Sequence, residues 1–147
     1  MHLRNATKDD MVLVLSWRNN PLIWEGTYTQ RAPISWEEHR AWWESRQDHH
    51  ALIIVYEGRD VGILNISPLQ YWSPEIGIII GEVSLWNKGI GTEAFALGCE
   101  WLRVRGYKWT STTVLDSNKS MIRVLKKLDF KRTCQARKGE SRYAKEL

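Results

Sequence analysis

The chain has 147 residues, 43% hydrophobic and 26% charged, with a net charge of +4. That length and apolar content suffice for one hydrophobic core without disulfide or metal staples. The two cysteines, Cys99 and Cys134, form no C-x-x-C pair, and no His/Cys cluster has metal-ligand spacing, so the sequence offers neither a disulfide framework nor a metal centre.

No apolar run approaches membrane-spanning length, since those at 51–56 and 76–80 are strand-sized. Met1 to Ala6 lacks the apolar segment of a signal peptide. The expectation is a soluble, cytoplasmic protein with no metal and no membrane contact. The 21 Lys and Arg are scattered, with a mild concentration between Arg123 and Lys138. That spread argues against a nucleic-acid stripe, and an anionic small molecule accounts for the excess.

No internal repeat, low-complexity tract or Pro/Gly-rich linker divides the chain, so one domain over 1–147 is expected. His2 to Asn5 is a short strand. Thr7-Lys8-Asp9-Asp10 caps a helix to about Arg18, with acids in its first turn, and Asn19-Asn20-Pro21 ends it. Ser35 with Glu38 three residues on is a capping box opening a second helix to about Arg46. Of nine tryptophans, Trp17, Trp24, Trp36, Trp42 and Trp43 fall in this first third. Core packing is the plain reading, and a pocket wall the second.

Ala51 to Tyr56 and Val61 to Ser67 are strands joined by a hairpin turn at Glu57-Gly58-Arg59-Asp60. Glu75 to Ile80 is nearly all apolar, as for a strand covered on both faces. Gly89 to Arg105 is a long helix with Ile90, Ala94, Leu97, Gly98, Trp101 and Leu102 on one face, closed by Gly106. Thr110 to Leu115 is a β-branched strand and Asn118 to Leu128 a helix. Phe130 to Arg137 and Ser141 to Leu147 form a last hairpin. Cys99 and Cys134 are expected to pack inside. The order β-α-α-β-β-β-α-β-α-β-β gives an α/β (α+β) domain with a mixed sheet.

Between the third apolar strand and the long helix lies Asn87-Lys88-Gly89-Ile90-Gly91-Thr92. Its glycines allow a tight turn with outward N–H groups, the helix N-terminus adds its positive dipole end, and Lys88 adds a charge. Together these make a phosphate cradle. A Walker loop is excluded, because Thr92-Glu93 follows Gly91 where Lys-Ser/Thr is required. A dinucleotide fingerprint fits Gly89-x-Gly91-x-x-Ala94 only loosely, since six residues, Gly81 to Trp86, separate it from its strand.

Trp86-Asn87-Lys88-Gly89-Ile90-Gly91-Thr92-Glu93-Ala94 resembles the acetyl-coenzyme A loop of the GNAT acetyltransferase superfamily, Gln/Arg-x-x-Gly-x-Gly/Ala, with Trp86 where Gln or Arg is usual. Asn118-x-Ser120 followed by Leu125-Lys126-Lys127-Leu128-Asp129-Phe130 resembles that family's Asn-x-x-Ser…Lys-x-Gly-Phe segment, with Asp129 replacing glycine. The element order also matches, so the resemblance covers the whole chain. Within the family it is nearest to ribosomal-protein N-terminal and nucleotide-amino-sugar acetyltransferases, the latter through Trp17-Arg18-Asn19 and Ser35…His39…Trp42. The implied fold is a mixed, mostly antiparallel sheet flanked by helices.

The resemblance implies acetyl-coenzyme A as acyl donor and direct attack by an amine in a ternary complex. It places the pantetheine arm along Ile78 and Ile80, with an N–H near Ile78 on the thioester carbonyl. The diphosphate falls on Asn87, Lys88, Gly89, Ile90, Gly91 and Thr92, and Asn118 holds the arm. Glu75 is the first candidate base and Glu82 the second. The family's usual Tyr acid is Leu125 here, so Ser120 is the candidate acid, with Tyr143, Tyr107 or solvent as substitutes. Trp17, Arg18, Trp24, His39 and Trp43 are candidate substrate residues, as the first two helices form the acceptor side.

The expected acceptor is a small-molecule amine, in particular an amino sugar. Relatives often dimerise, so the resemblance also implies a homodimer. Two readings compete: a protein N-terminal or side-chain acetyltransferase, and a non-catalytic module that binds acyl-coenzyme A or nucleic acid.

Overall fold

The computed structural model describes residues 1–27 and 30–147. The described residues form β1 (His2–Asn5), α1 (Met11–Arg18), α2 (Pro21–Trp24), α3 (Trp36–Glu44), β2 (His50–Tyr56), β3 (Arg59–Ser67), β4 (Glu75–Ile80), α4 (Ile90–Arg103), β5 (Trp109–Leu115), α5 (Lys119–Lys127), β6 (Lys131–Arg137) and β7 (Glu140–Glu146). The strands make one sheet in the order β1-β2-β3-β4-β5-β7-β6. Every neighbouring pair is antiparallel except β4 and β5, which are parallel. This is the mixed, mostly antiparallel sheet expected.

Side chains alternate across a strand, so each strand feeds two cores. Leu52, Ile54, Leu64, Ile66 and Ile76 pack against Phe95, Cys99 and Leu102 of α4 and Leu125 of α5. On the other face, Ile53, Val55 and Ile63 pack against Val14 and Trp17 of α1 and Ile23 of α2. Cys99 is buried in the first of these cores, as expected, and that burial pushes its thiol up to about 11. Cys134 does not: it is exposed on β6, all of whose residues are exposed. No helix among the described residues is long and apolar enough to cross a membrane.

Three helix starts, those of α2, α3 and α5, follow side-chain caps. Asn20 Oδ1 accepts from Leu22 N–H (3.0 Å), Ser35 Oγ from Glu38 N–H (3.1 Å) and Asn118 Oδ1 from Met121 N–H (3.1 Å). The first cap holds α2, which the sequence reading lacked. Asn20-Pro21 stops α1 and starts α2, because Pro at N1 needs no N–H. The helix expected from Thr7 instead begins as a 3-10 turn, Lys8–Asp10, with α1 following at Met11. Arg4 lies between Asp10 (2.7 Å) and Asp60 (2.8 Å), tying β1 to the start of α1 and to the β2–β3 hairpin. That hydrogen-bonded guanidinium holds the Asp10 carboxyl below the ordinary carboxylate range.

The chain leaves β4 at Gly81, against which the buried Trp17 ring lies. A Cβ at Gly81 would fall inside that ring's van der Waals envelope. Gly81→Ala is therefore expected to lower stability by about 1–3 kcal/mol, measured by urea unfolding. Unchanged stability would mean that Trp17 is not held there.

Candidate active site

Strands β4 and β5 are in register at one position only, Glu75 with Ser111. Around it the two segments are joined by Ser111 N–H to Pro74 O (3.2 Å), Thr110 Oγ1 to Pro74 O (2.8 Å), Thr112 Oγ1 to Ile76 O (2.7 Å) and Thr113 Oγ1 to the Glu75 carboxylate (3.0 Å). The Thr110 hydroxyl doubles the amide bond on Pro74 O, and the Thr112 hydroxyl reaches one acceptor further, on Ile76 O. Gly81 N–H donates to Val61 O of β3. Strand alternation then turns the Ile78 N–H and C=O and the Ile80 N–H away from β3, toward β5. Past Ile76 the described residues have no hydrogen bond between the two strands' backbones.

A cavity of about 650 Å³ fills this divergence. Ile78, Ile79 and Ile80 form one wall, with Leu115, Ser117 and Asn118 opposite. This corrects the expectation that β4 is covered on both faces by protein, for Ile78 to Ile80 are only half-buried. Their apolar side chains line a cleft instead. The cleft crosses the sheet, reaching Met121 and Val124 of α5 on one face and Leu22 and Ile23 of α2 on the other.

At its mouth stands the glycine loop. Gly89 has φ +84°, a left-handed conformation that glycine adopts without strain, and Asn87 also turns at φ +61°. Glu93 N–H is the first to enter the α4 ladder, on Gly89 O (3.1 Å). The N–H groups of Ile90, Gly91 and Thr92 thus lack intrahelical acceptors, and no side chain caps them. Asn87, Gly89, Gly91 and Thr92 line the cavity. Lys88 lies outside it and exposed, while the Ile90 side chain is buried in the core and anchors the loop. Trp86 adds a tie that the motif did not announce: its Nε1–H donates to Ile80 O (2.9 Å), joining the loop to the end of β4.

Asn118 and Ser120 line the cavity. Asn118 Oδ1 is taken by the α5 cap, which leaves its Nδ2 donor toward Gly26. Ser120 Oγ accepts from Arg123 Nη2 (3.2 Å). Glu75 stands outside the cavity lining, at the closed end of the cleft, where Thr113 Oγ1 (3.0 Å) and Arg142 Nη2 (3.3 Å) hold its carboxylate. Tyr107 donates to Leu69 O, and neither it nor Tyr143 lines the cavity. No group of three or more His, Cys, Asp or Glu among the described residues is placed to hold a metal ion.

The candidate substrate residues separate. Trp17 (4% exposed) and His39 (0%) belong inside the protein, a correction to their placement on an acceptor wall. Trp24 is half-buried and lines neither cavity, although its neighbours Ile23 and Glu25 line the cleft. Trp43 lines a second cavity of about 230 Å³ with Trp42, Arg46 and Asn65. Asn65 is the register partner of Gly77 on β4. Arg18 and Arg46 place their guanidiniums 4.0 and 4.2 Å from the Trp42 ring centroid. Neither has a carboxylate partner among the described residues. Burial, with Arg18 nearby, brings the Arg46 pKa down to about 10. The missed contributors, Leu22, Gly26 and Thr27, follow a Pro that reads in sequence as a stop.

His39 faces Met11 O through Nε2 (2.8 Å) and Arg18 Nη1 through Nδ1 (2.9 Å). A carbonyl only accepts and a guanidinium only donates, so His39 is the neutral Nε2–H tautomer. Burial, aided by the Arg18 charge, holds its pKa below the ordinary 6.5. The unfolded chain therefore takes up this proton first. Its stabilisation is complete above the unfolded pKa and is lost as pH falls toward the folded one. His39→Gln should show a shallower stability loss between about pH 7 and pH 5 than the parent, by urea unfolding at each pH. Equal slopes would mean that His39 protonates freely in the folded state.

An acetyltransferase (GNAT) domain model matches residues 1–131. An uncharacterized protein of Methanocaldococcus jannaschii is 40% identical over 142 residues, covering 94% of this chain and 29% of that protein's length. The crystal structure of a domain from the same organism superposes with a TM-score of 0.93 at 39% identity, covering 99% of this chain and 97% of that one. An aminoglycoside acetyltransferase in complex with coenzyme A has the same fold, with a TM-score of 0.85 at 18% identity over 99% of this chain and 94% of the other. The matched residues take in β4, the glycine loop and α5, both walls of the cleft and its mouth, and the chain belongs to the GNAT acetyltransferase family.

Proposed function

We propose that the protein is an acetyl-coenzyme A-dependent N-acetyltransferase that acetylates a primary amine of a small molecule, an amino sugar, by direct attack in a ternary complex. The observation that carries this reading is the β4–β5 cleft, lined by unpaired strand amides and ending on the free amides of Ile90 to Thr92. A long, amide-bearing arm with a diphosphate at one end matches both features. Bound acetyl-coenzyme A supplies the activated acetyl group.

The residues of the chain then do four things. The free N–H groups of the glycine loop and the α4 N-terminus hold the diphosphate. The Ile78 N–H polarises the thioester carbonyl where negative charge develops. Asn118 Nδ2 holds the arm. Glu75, positioned by Thr113 and Arg142, takes the proton of an amine that is otherwise largely charged at neutral pH. The departing thiolate takes its proton from solvent in the open cleft. Ser120 is not used for that step, because it is exposed and already tied to Arg123.

The amino-sugar reading is supported by Trp42, whose face suits a sugar or base ring, and by the Arg18 and Arg46 guanidiniums over that ring, neither in an ion pair among the described residues, as cations for a phosphoryl group. Trp42 and Arg46 line the smaller cavity together with Asn65, the β3 residue paired with Gly77 of β4. The coarse activity is tested by calorimetry with acetyl-coenzyme A, followed by thiol release across amino sugars, polyamines, aminoglycosides and peptides. Binding is expected, and Gly91→Arg, which fills the cradle, should abolish it. A folded parent protein that binds nothing at millimolar coenzyme overturns the reading. Glu75→Gln should lower kcat about 100-fold at neutral pH with coenzyme affinity unchanged, and full activity would remove Glu75 as base.

A further inference from the structure

Helix α5 carries Lys119, Arg123, Lys126 and Lys127 and no acid. Lys126 and Lys127 sit in its last turn, where the macrodipole favours cations. Arg123 has no such support. It stands four residues before Lys127, and like charges at that spacing repel along one helix face. Neither is in an ion pair among the described residues. The macrodipole thus accounts for Lys127 but not for an Arg one turn before it, and both line the cleft, with Ser120 and Val124 of the same helix. Ser120 Oγ accepts one Arg123 N–H (3.2 Å), which steers the guanidinium and leaves its other donors free. The acid of the cleft lining, Glu25, comes from the turn after α2 and not from α5.

This is a second positive patch in the cleft, made of side chains on α5 and separate from the amides of the glycine loop. The coenzyme of the reading above has two anionic centres, the diphosphate and the ribose 3′-phosphate. With the first on the loop, we propose that Arg123 and Lys127 bind the 3′-phosphate, and that through them the protein selects the 3′-phosphorylated coenzyme over its dephospho form. Ser120 thereby acts as a positioning residue for Arg123.

The inference rests on coenzyme binding, and calorimetry separates the two. Acetyl-coenzyme A and acetyl-dephospho-coenzyme A are titrated into the parent protein, Arg123→Gln/Lys127→Gln, Arg123→Lys/Lys127→Arg and Lys126→Gln, each checked for folding by circular dichroism. The parent should bind the phosphorylated form at least about tenfold more tightly, a charge-assisted contact. The Gln pair should bring that ratio close to one by weakening acetyl-coenzyme A alone. The charge-conserving pair should keep most of the ratio, and Lys126→Gln all of it. A parent ratio of one, an unchanged ratio in the Gln pair, or an equal loss in Lys126→Gln overturns the assignment. Failure of the folded parent to bind either form overturns the coenzyme reading itself.

Discussion

Among the described residues, the hydroxyl of Thr112 on the carbonyl of Ile76 is the last bond that β4, followed from Glu75, makes to β5. Before it, β4 and β5 behave as neighbours in one sheet, and after it they part. Had β5 continued in register, the amides of Ile78 and Ile80 would be paired and no cleft would cross the sheet. Two β-branched residues, Thr110 and Thr112, thus help close one end of the site, Thr110 on the carbonyl that the Ser111 amide also reaches and Thr112 on the next one along β4's β5-facing edge. The rest of the site is arranged around the opening. The glycine loop stands at its mouth, α5 walls one face, and α2 reaches it from the other.

The loop was legible in the sequence because glycine chemistry is local. Gly89 occupies a left-handed conformation and the amides after it have no partner in their own helix. The cleft was not legible. An apolar run such as Glu75 to Ile80 looks the same whether protein or a cavity covers it, since only packing from distant segments decides. Helix α2 was lost for a related reason, as Asn20-Pro21 carries both a stop and a start signal. Cys134 shows the limit of strand patterning, for its strand pairs with β7 along one side only and meets neither core.

The tryptophans divided in a way that periodicity does not reveal. Ser35, His39 and Trp43 share one helical face, which says nothing about what that face meets. In the fold it meets α1, so His39 disappears between Met11 and Arg18 and Trp43 emerges at the rim of the smaller cavity. Trp17 became part of the core through Gly81, whose missing Cβ makes room for the indole. Trp42 kept a functional look because it carries two guanidiniums, neither in an ion pair among the described residues. A buried indole and a cationic one differ in their neighbours, and neighbours are what a single sequence does not print.

The parting of β4 and β5 also leaves the sheet incomplete in itself. Among the described residues, strands β1 to β4 are hydrogen-bonded to β5 only along the short stretch from Ser73 to Ile76. The two halves of the sheet share one core beneath α4 and α5, and the rungs missing beyond Ile76 are supplied by whatever lies between the strands. A ligand bonded to both strands restores those rungs and is counted among the bonds of the fold. Its free energy of binding then enters the melting temperature by mass action, about 2.7 kcal/mol at a hundredfold excess over Kd.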